Sequence, residues 1–303
     1  MPGILAGCRT GFKRTALGCA QECAQPHRSL ALIRVRRDRV APIHRLRILG
    51  QCSWGVEPVS PGRVAPLTGW SDFTYHRGTL KTREDVLARI RELRPWYHNV
   101  PLKDGISTKD LADPTNFFPG HDAPNPLWRS IKDLIPSRLS GLDALDVGCN
   151  AGFFSFKLQE RGARVVGIDI DQGTPVSFLT QARFCAEVLA VEADFRNQNL
   201  LEMPDAPTFD WILFLGVFYH VPNFCDALAK LAALTRPRGY VVIESQTNPV
   251  SLTCYEGKGF RGDTSTFFVP SPTVLRVLLQ EHGFKIKKEG RGAERHIFLC
   301  RRR

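Results

Sequence analysis

The 303 residues contain no run of about 18 apolar side chains, so no membrane-spanning helix is expected. The apolar "GILAG" at Gly3–Gly7 is too short for the core of a signal peptide. Nine cysteines occur without a CxxC pair and without a His/Cys cluster at zinc spacing, which argues against a zinc module or a disulfide framework. Cys185, Cys225 and Cys300 instead lie inside apolar runs, as reduced, buried thiols of a cytoplasmic protein do. There is no glycine-rich loop followed by Gly-Lys-Ser/Thr, and no internal repeat.

Acidic residues are scarce in one place only. Residues 1–50 hold ten Lys and Arg against Glu22 and Asp38, a balance of +8, whereas the other 253 residues hold 31 basic and 28 acidic side chains, a balance of +3. The net charge of +11 therefore belongs mostly to a tail, and the remainder is nearly neutral. Three readings of the tail stand side by side: a targeting peptide, a basic arm for RNA or membrane surfaces, and a disordered extension.

What is present is a change of pattern along the chain. Residues 1–69 read as basic tail and Pro/Gly linker, with Pro58, Pro61 and Pro66. Residues 70–138 read as a helical cap on the substrate side. In it "KTREDVLARIRELRPWYHN" is a helix that Thr82 caps with Asp85 three residues on, and Pro95 stops it. "LWRSIKDLIPSRL" reads as a second helix or helical pair around Pro136. From 139 to 303, strands and helices alternate and the strands are apolar throughout, which is the pattern of a parallel sheet covered on both faces. "KIKKEG" and "RHIFLCRRR" add an antiparallel hairpin. The fold class is α/β: a doubly wound, mostly parallel, seven-stranded Rossmann-like sheet with a terminal hairpin and a small N-terminal helical cap.

The chemistry gathers at "LDVGCNAGFFS", a glycine loop between a strand and a helix. Gly148 permits a sharp turn and Gly152 lets the helix start close to a ligand. The G-x-x-x-G spacing, with Asn150 where a dinucleotide loop needs glycine, disfavours an NAD-dependent oxidoreductase. Asp169 ends the next strand, 17 residues past Gly152, where a carboxylate can accept both ribose hydroxyl protons of a nucleoside. Asp194 in "EADF" is expected to end the third strand and to accept from an adenine amino group. Asp146 ends the first strand and suits a cationic amino-acid moiety. Three carboxylates without a nearby lysine describe an adenosine with a positive tail and no phosphate, which is S-adenosylmethionine (SAM). Cys149, Asn150, Ile170 and Phe195 flank these positions and complete the expected cofactor set, with Gly216 where the backbone of the fourth strand passes close to it. Each acid has a plainer alternative as a strand-end cap or turn residue.

"ALDVGCNAGFFSF", "VVGIDID", "EADF" and "FDWILFLGVFYHV" resemble the successive motifs of class I SAM-dependent methyltransferases, over about 142–303. "GVFYH", "FFVPSPTVLRVLLQEHGF" and "PWYHN" are similar to one branch, the bacterial enzymes that modify the tRNA wobble uridine by carboxymethyl transfer, and extend the resemblance to about 82–303. The resemblance implies a SAM cofactor and gives Tyr219 the role of the branch's active-site tyrosine. That branch uses carboxy-SAM, held by a lysine and an arginine; here His98 and Thr264 stand at the matching positions, with Lys103 and Arg261 as alternatives in space. The expectation is therefore ordinary SAM and methyl transfer.

Open α/β sheets bind ligands beyond the carboxyl ends of their strands. Tyr219 and His220 fall just past the fourth strand. Histidine titrates near neutrality, so His220 is the candidate base or substrate contact, its alternative being a cap for the helix after Pro222. His98 is a further candidate, or else a satisfied loop histidine. Glu244, ending "VVIES", faces the crevice or pairs with an arginine. The acceptor is a small molecule, a glycan-type group or tRNA, and no membrane partner is expected. A catalytically silent SAM- or RNA-binding module is the competing class. The glycine-bearing "TNPVSLTCYEGKGFRGDTSTFF" reads as a substrate lid.

Overall fold

The computed structural model describes residues 82–109, 122–171, 177–206, 208–249, 252–255, 260, 263, 265–291 and 294–303. The expected tail and linker, the first residues of the expected cap, Arg261, Thr264 and much of the expected lid lie outside them.

Helix α1 (Arg83–Glu92) starts as its sequence requires: the Thr82 hydroxyl accepts from the Asp85 N–H at 3.1 Å, and the Asp85 carboxylate accepts from the Thr82 N–H at 3.0 Å. It buries Val86 and Ile90, and the fully buried Trp96 closes it by donating Nε1–H to the Ile90 carbonyl at 2.9 Å. Helix α2 (Pro124–Ile131) runs into a 3-10 turn, Lys132–Leu134, and stops there. The helical reading around Pro136 fails because the residue before a proline is driven out of the helical region, and Ile135 is extended.

The sheet is built from β1 (Asp143–Val147), β2 (Arg164–Asp169), β3 (Asp194–Asn197), β4 (Phe209–Leu215), β5 (Thr235–Gln246), β8 (Phe284–Arg291) and β9 (Arg295–Arg302) in the order β3-β2-β1-β4-β5-β9-β8. The strands β6 (Thr253–Cys254) and β7 (Phe268–Val269) form a separate pair. The first five strands of the order are parallel, and β9 runs antiparallel between β5 and β8. Helices α3 (Phe153–Gln159), α4 (Phe178–Leu189), α5 (Phe224–Leu234) and α6 (Pro272–Glu281) connect them. Pro237 and Gly239 fall inside β5 at an irregularity, where the pairing with β4 jumps from Phe209↔Thr235 to Trp211↔Tyr240 and Arg238 takes a φ of 69°.

Successive residues of a strand face opposite sides. Ala144, Leu213 and Val242 join one apolar cluster with α3, α4 and the cap residues Ile90 and Trp96; Leu145, Ile212 and Ile243 join the other with α5 and α6. The 82–135 segment thus shares its core with one face of the sheet. Each fully buried aliphatic or aromatic side chain contributes roughly 1.5–3 kcal/mol. Of the three thiols expected to be buried, Cys185 and Cys300 are, whereas Cys225 on the first turn of α5 is only half-buried. No helix among the described residues is long and apolar enough to cross a membrane.

Chain order reverses between β1 and β4: β2 and β3 lie to one side, β5 and the hairpin to the other. The carboxyl ends of β1 and β4 therefore open a crevice, the usual ligand position of such a sheet.

Candidate functional site

At the end of β1 the chain turns at Gly148 (φ 70°), and the N–H groups of Gly148 and Cys149 both donate to the Ile168 carbonyl, at 2.8 and 3.0 Å. Asn150 follows with φ 50°, and Gly152 (φ 82°) caps α3. A Cβ on Gly148 would lie 2.4 Å from Val217 Cγ2, so the loop touches the segment that leaves β4. Gly152 serves packing more than ligand approach: its Cβ would meet Phe195 at 2.8 Å and Phe156 at 2.9 Å. The Phe195 side chain is buried edge-on against Phe156 beneath the loop. The Cys149 side chain is likewise fully buried, with burial pushing its thiol up; what it presents outward is backbone.

Asp169 ends β2 and accepts the Asn150 N–H at 2.7 Å and the Ile170 N–H at 2.8 Å. It ties the loop to the next strand, and burial raises its carboxyl above the usual range. Ile170 beside it is 44 % exposed, a flat apolar surface next to a hydrogen-bonding acid. Asp146 is 1 % exposed and accepts the Ser155 hydroxyl at 2.6 Å; burial pushes its carboxyl up to about 7.

Asp194 is not where the sequence reading puts it. It opens β3, level with Val166, and its carboxylate is held by the Arg196 guanidinium two residues on, with Nε at 2.9 Å. Asn197 stands level with Asp169, and its Oδ1 accepts the Asp171 N–H at 3.1 Å. The polar group at the carboxyl end of β3 is therefore Asn197.

Beyond β4, Gly216 (φ 72°) leads into a 3-10 turn, Phe218–His220. Tyr219 is buried, and its hydroxyl accepts from Arg295 Nη2 at 3.2 Å. Arg295 opens β9 and forks onto Glu244, through Nε to Oε1 and through Nη2 to Oε2 at 2.8 Å. Glu244 is fully buried, so of its two expected positions it takes the arginine pair. Burial pulls the Arg295 guanidinium down, but Glu244 more than offsets this and holds it above its ordinary value. Gly216 borders this trio: a Cβ there would lie 3.4 Å from Arg295 Nη2 and 3.6 Å from the Tyr219 hydroxyl.

The two histidines differ from the sequence reading. His220 turns towards the chain before β7: its Nδ1 is 3.0 Å from Ser265 Oγ and 3.1 Å from the Ser265 carbonyl, and its Nε2 is 3.9 Å from Asp263. Ser265 Oγ in turn donates to Asp263 at 2.5 Å. His220 neither caps α5, whose N-cap is Asn223, nor offers a free Nδ1 to a substrate. His98 is 8 % exposed, with its ring against the edges of Phe153 and Phe154 at the start of α3, and Nδ1 has no hydrogen-bond partner. Burial lowers its pKa to about 3, so the imidazole is neutral and a weak base. Lys103 is exposed in the 3-10 turn Lys103–Gly105.

Sequence reasoning missed Arg295, Tyr97 and Phe267. A signal for Arg295 existed: the apolar strands "VVIES" and "RHIFLC" carry opposite charges at ends that an antiparallel pairing brings together.

The sheet order, the glycine loop and the acid closing β2 define the SAM-dependent methyltransferase class. The loop residues 148–152 carry no lysine or arginine, which suits a ligand without phosphate. Residues 120–289, more than half of the chain, match the methyltransferase-domain family, and the chain belongs to it. The "tRNA U34 carboxymethyltransferase" of Proteus mirabilis is 29 % identical over 251 residues, 73 % of this chain and 75 % of that protein. The protein of the same name from Idiomarina loihiensis is 31 % identical over 154 residues, 48 % of this chain, but the match spans only 46 % of its length. The "Ubiquinone biosynthesis O-methyltransferase" of Alkalilimnicola ehrlichii is 34 % identical over 160 residues, 51 % of this chain and 62 % of that one. Among solved structures, the N-terminal domain of EvdMO1 with SAH bound shares the fold with a TM-score of 0.54 at 17 % identity, covering 75 % of this chain and 99 % of that domain.

Proposed function

We propose that the chain transfers the methyl group of SAM to an acceptor presented beyond β4 at Tyr219. The observation that carries this is the contact of Gly148 with Val217, which joins the glycine loop to the segment bearing Tyr219. Asp169 and the exposed Ile170 suit the nucleoside, with Asn197 at the neighbouring strand end. Asp146 suits the cationic tail, whose charge would favour the ionised carboxylate.

SAM supplies an activated methyl on a sulfonium, so the protein's task is to orient the acceptor and exclude water. Burial keeps the Tyr219 phenol above its ordinary pKa, although Arg295 opposes this, so at neutral pH it is a hydrogen-bond donor and not a base. Its oxygen receives the Arg295 hydrogen bond, which leaves its own O–H to be directed at the acceptor.

Carboxymethyl transfer is the second reading, since relatives bear that name and Arg295 supplies a cation beside Tyr219. Against it, Arg295 is already neutralised by Glu244, and the buried His98 carries no charge. The acceptor is a tRNA uridine, a quinol-like or other small molecule, or a glycan-type group. The near-neutral charge outside the first fifty residues weighs against an RNA that binds by charge alone.

The test is incubation with methyl-labelled SAM and fractionated cell extract. Label in the RNA or small-molecule fraction, with the mass of a methyl group, supports the proposal. Label that enters nothing, while SAM still binds, favours a silent SAM-binding module.

A further inference from the structure

Four large apolar side chains are strongly exposed among the described residues: Tyr97, Ile170, Phe267 and Val277. Single exposed apolar residues are ordinary. Here three of the four surround one crevice, and Val277 alone lies away from it, on α6. Ile170 adjoins Asp169 on the cofactor side. Phe267 is hydrogen-bonded to the Tyr219 backbone, Tyr97 lies within electrostatic range of the Tyr219 phenol, and neither has a task in the scheme above.

Tyr97 precedes His98, whose ring fixes this stretch of the cap against the start of α3. The Tyr97 phenol is also near enough to Tyr219 to add, after burial and the Glu244 carboxylate, to the rise in that group's pKa. Phe267 donates its N–H to the Tyr219 carbonyl at 2.9 Å and its carbonyl accepts from the Tyr255 N–H at 2.8 Å, so its backbone is held on both sides. Phe268 next to it is buried against Phe218 and Phe224, and Phe267 is left 47 % exposed. The His220–Ser265–Asp263 hydrogen bonds pin the same segment two residues earlier. The protein thus spends several polar contacts on holding one exposed aromatic beside its site tyrosine.

We infer that Tyr97 and Phe267 are stacking surfaces for the acceptor, and that the acceptor is a flat aromatic ring rather than an aliphatic or glycan hydroxyl. This rests on the methyl-transfer reading of the same crevice. An aromatic face attracts any planar π-system and does not select among ring types, so a nucleobase and a phenolic ring are two sources of the same chemistry. The ring would lie with its reacting atom towards the Tyr219 hydroxyl. His220 then acts as a positioning residue for Phe267.

The experiment uses the full chain saturated with S-adenosylhomocysteine, with ligand-observed NMR titration of four probes. Uridine 5′-monophosphate and catechol are planar; 5,6-dihydrouridine 5′-monophosphate and cyclohexane-1,2-diol are their puckered counterparts. At least one planar probe should bind about tenfold or more tightly than its counterpart, the scale of one stacking contact. Tyr97→Ala with Phe267→Ala should remove that preference, Tyr97→Phe with Phe267→Tyr should keep it, and Val277→Ala should leave it unchanged. Preference for uridine 5′-monophosphate identifies a nucleobase acceptor; preference for catechol identifies a phenolic one. Equal or absent binding of planar and puckered probes, or a preference that survives the double alanine variant, overturns the inference alone. A wild-type chain that binds no S-adenosylhomocysteine in calorimetry overturns the methyl-transfer reading, and this inference with it.

Discussion

Arg295 reaches across 76 residues of sequence to donate a hydrogen bond to the Tyr219 hydroxyl at 3.2 Å, while the rest of its fork is held by Glu244. The tyrosine is thus oriented by a guanidinium that is itself oriented by a fully buried carboxylate. Removing the hydroxyl should damage turnover and spare cofactor binding. Tyr219→Phe is expected to lower kcat about tenfold to a hundredfold, the range of a positioned hydrogen bond, with the Kd for SAM unchanged. Single-turnover kinetics beside calorimetry separates the two.

The Glu244–Arg295 pair also bears on stability. Breaking a fully buried pair costs about 3–5 kcal/mol, but the Arg295 side chain is 41 % exposed, so water will replace part of what is lost. Arg295→Met should therefore cost about 2 kcal/mol in urea unfolding, and Glu244→Gln with Arg295 intact less. A loss below about 0.5 kcal/mol for Arg295→Met would show that the pair is solvated.

Gly148 is the position where the loop has least freedom. Alanine there must hold φ at 70° and place its Cβ 2.4 Å from a methyl of Val217, a β-branched side chain that cannot swing aside. The left-handed backbone costs about 1–2 kcal/mol and the overlap about 1–3 kcal/mol more. Gly148→Ala should lower the Tm and weaken SAM binding, and Val217→Ala should recover part of the loss in the double variant. Simple additivity of the two would deny the contact.

Much of this was legible before the structure. The run from β1 through the glycine loop to Asp169 is local: Gly148 and the acid sit at strand ends that apolar patterning marks clearly, and Gly152 caps the helix that follows. Thr82 and Asp85 announced the start of α1 for the same reason. Asp194 misled because the boundaries of β3 are weakly marked: an acid before a phenylalanine reads as a strand's end, yet here it is the strand's start. Arg295 was hidden because its partners come from β5 and from the turn after β4, contacts that only the antiparallel insertion of β9 creates. The direction of His220 depends on Asp263 and Ser265, some 45 residues later, and the burial of His98 on how the cap packs against α3.

With Asp146 in its proposed place beside the cationic tail, cofactor affinity should depend on pH. Burial raises its carboxyl to about 7, so below that pH it is largely protonated in the free protein. A cationic ligand group favours the ionised form. Affinity for SAM should therefore rise about tenfold per pH unit up to near pH 7 and level off above it. Stability runs the other way: the native carboxyl holds its proton longer than the unfolded one, so this group's contribution is fully present below the unfolded pKa and declines as pH rises towards about 7. Asp146→Asn should flatten both profiles; calorimetry and thermal melts over pH 5 to 8 read them.

The glycine loop and Asp169 are proposed to hold SAM. Isothermal calorimetry of the full chain with SAM tests it most directly. Saturable binding by the wild type is expected, with Asp169→Ala weakened by about a hundredfold and Asp169→Asn intermediate, because Asp169 accepts the Asn150 amide of the loop and the Ile170 amide beside it and is the residue proposed to hold the ribose. A wild type that binds no SAM, or an Asp169→Ala variant that binds it unchanged, would contradict the account.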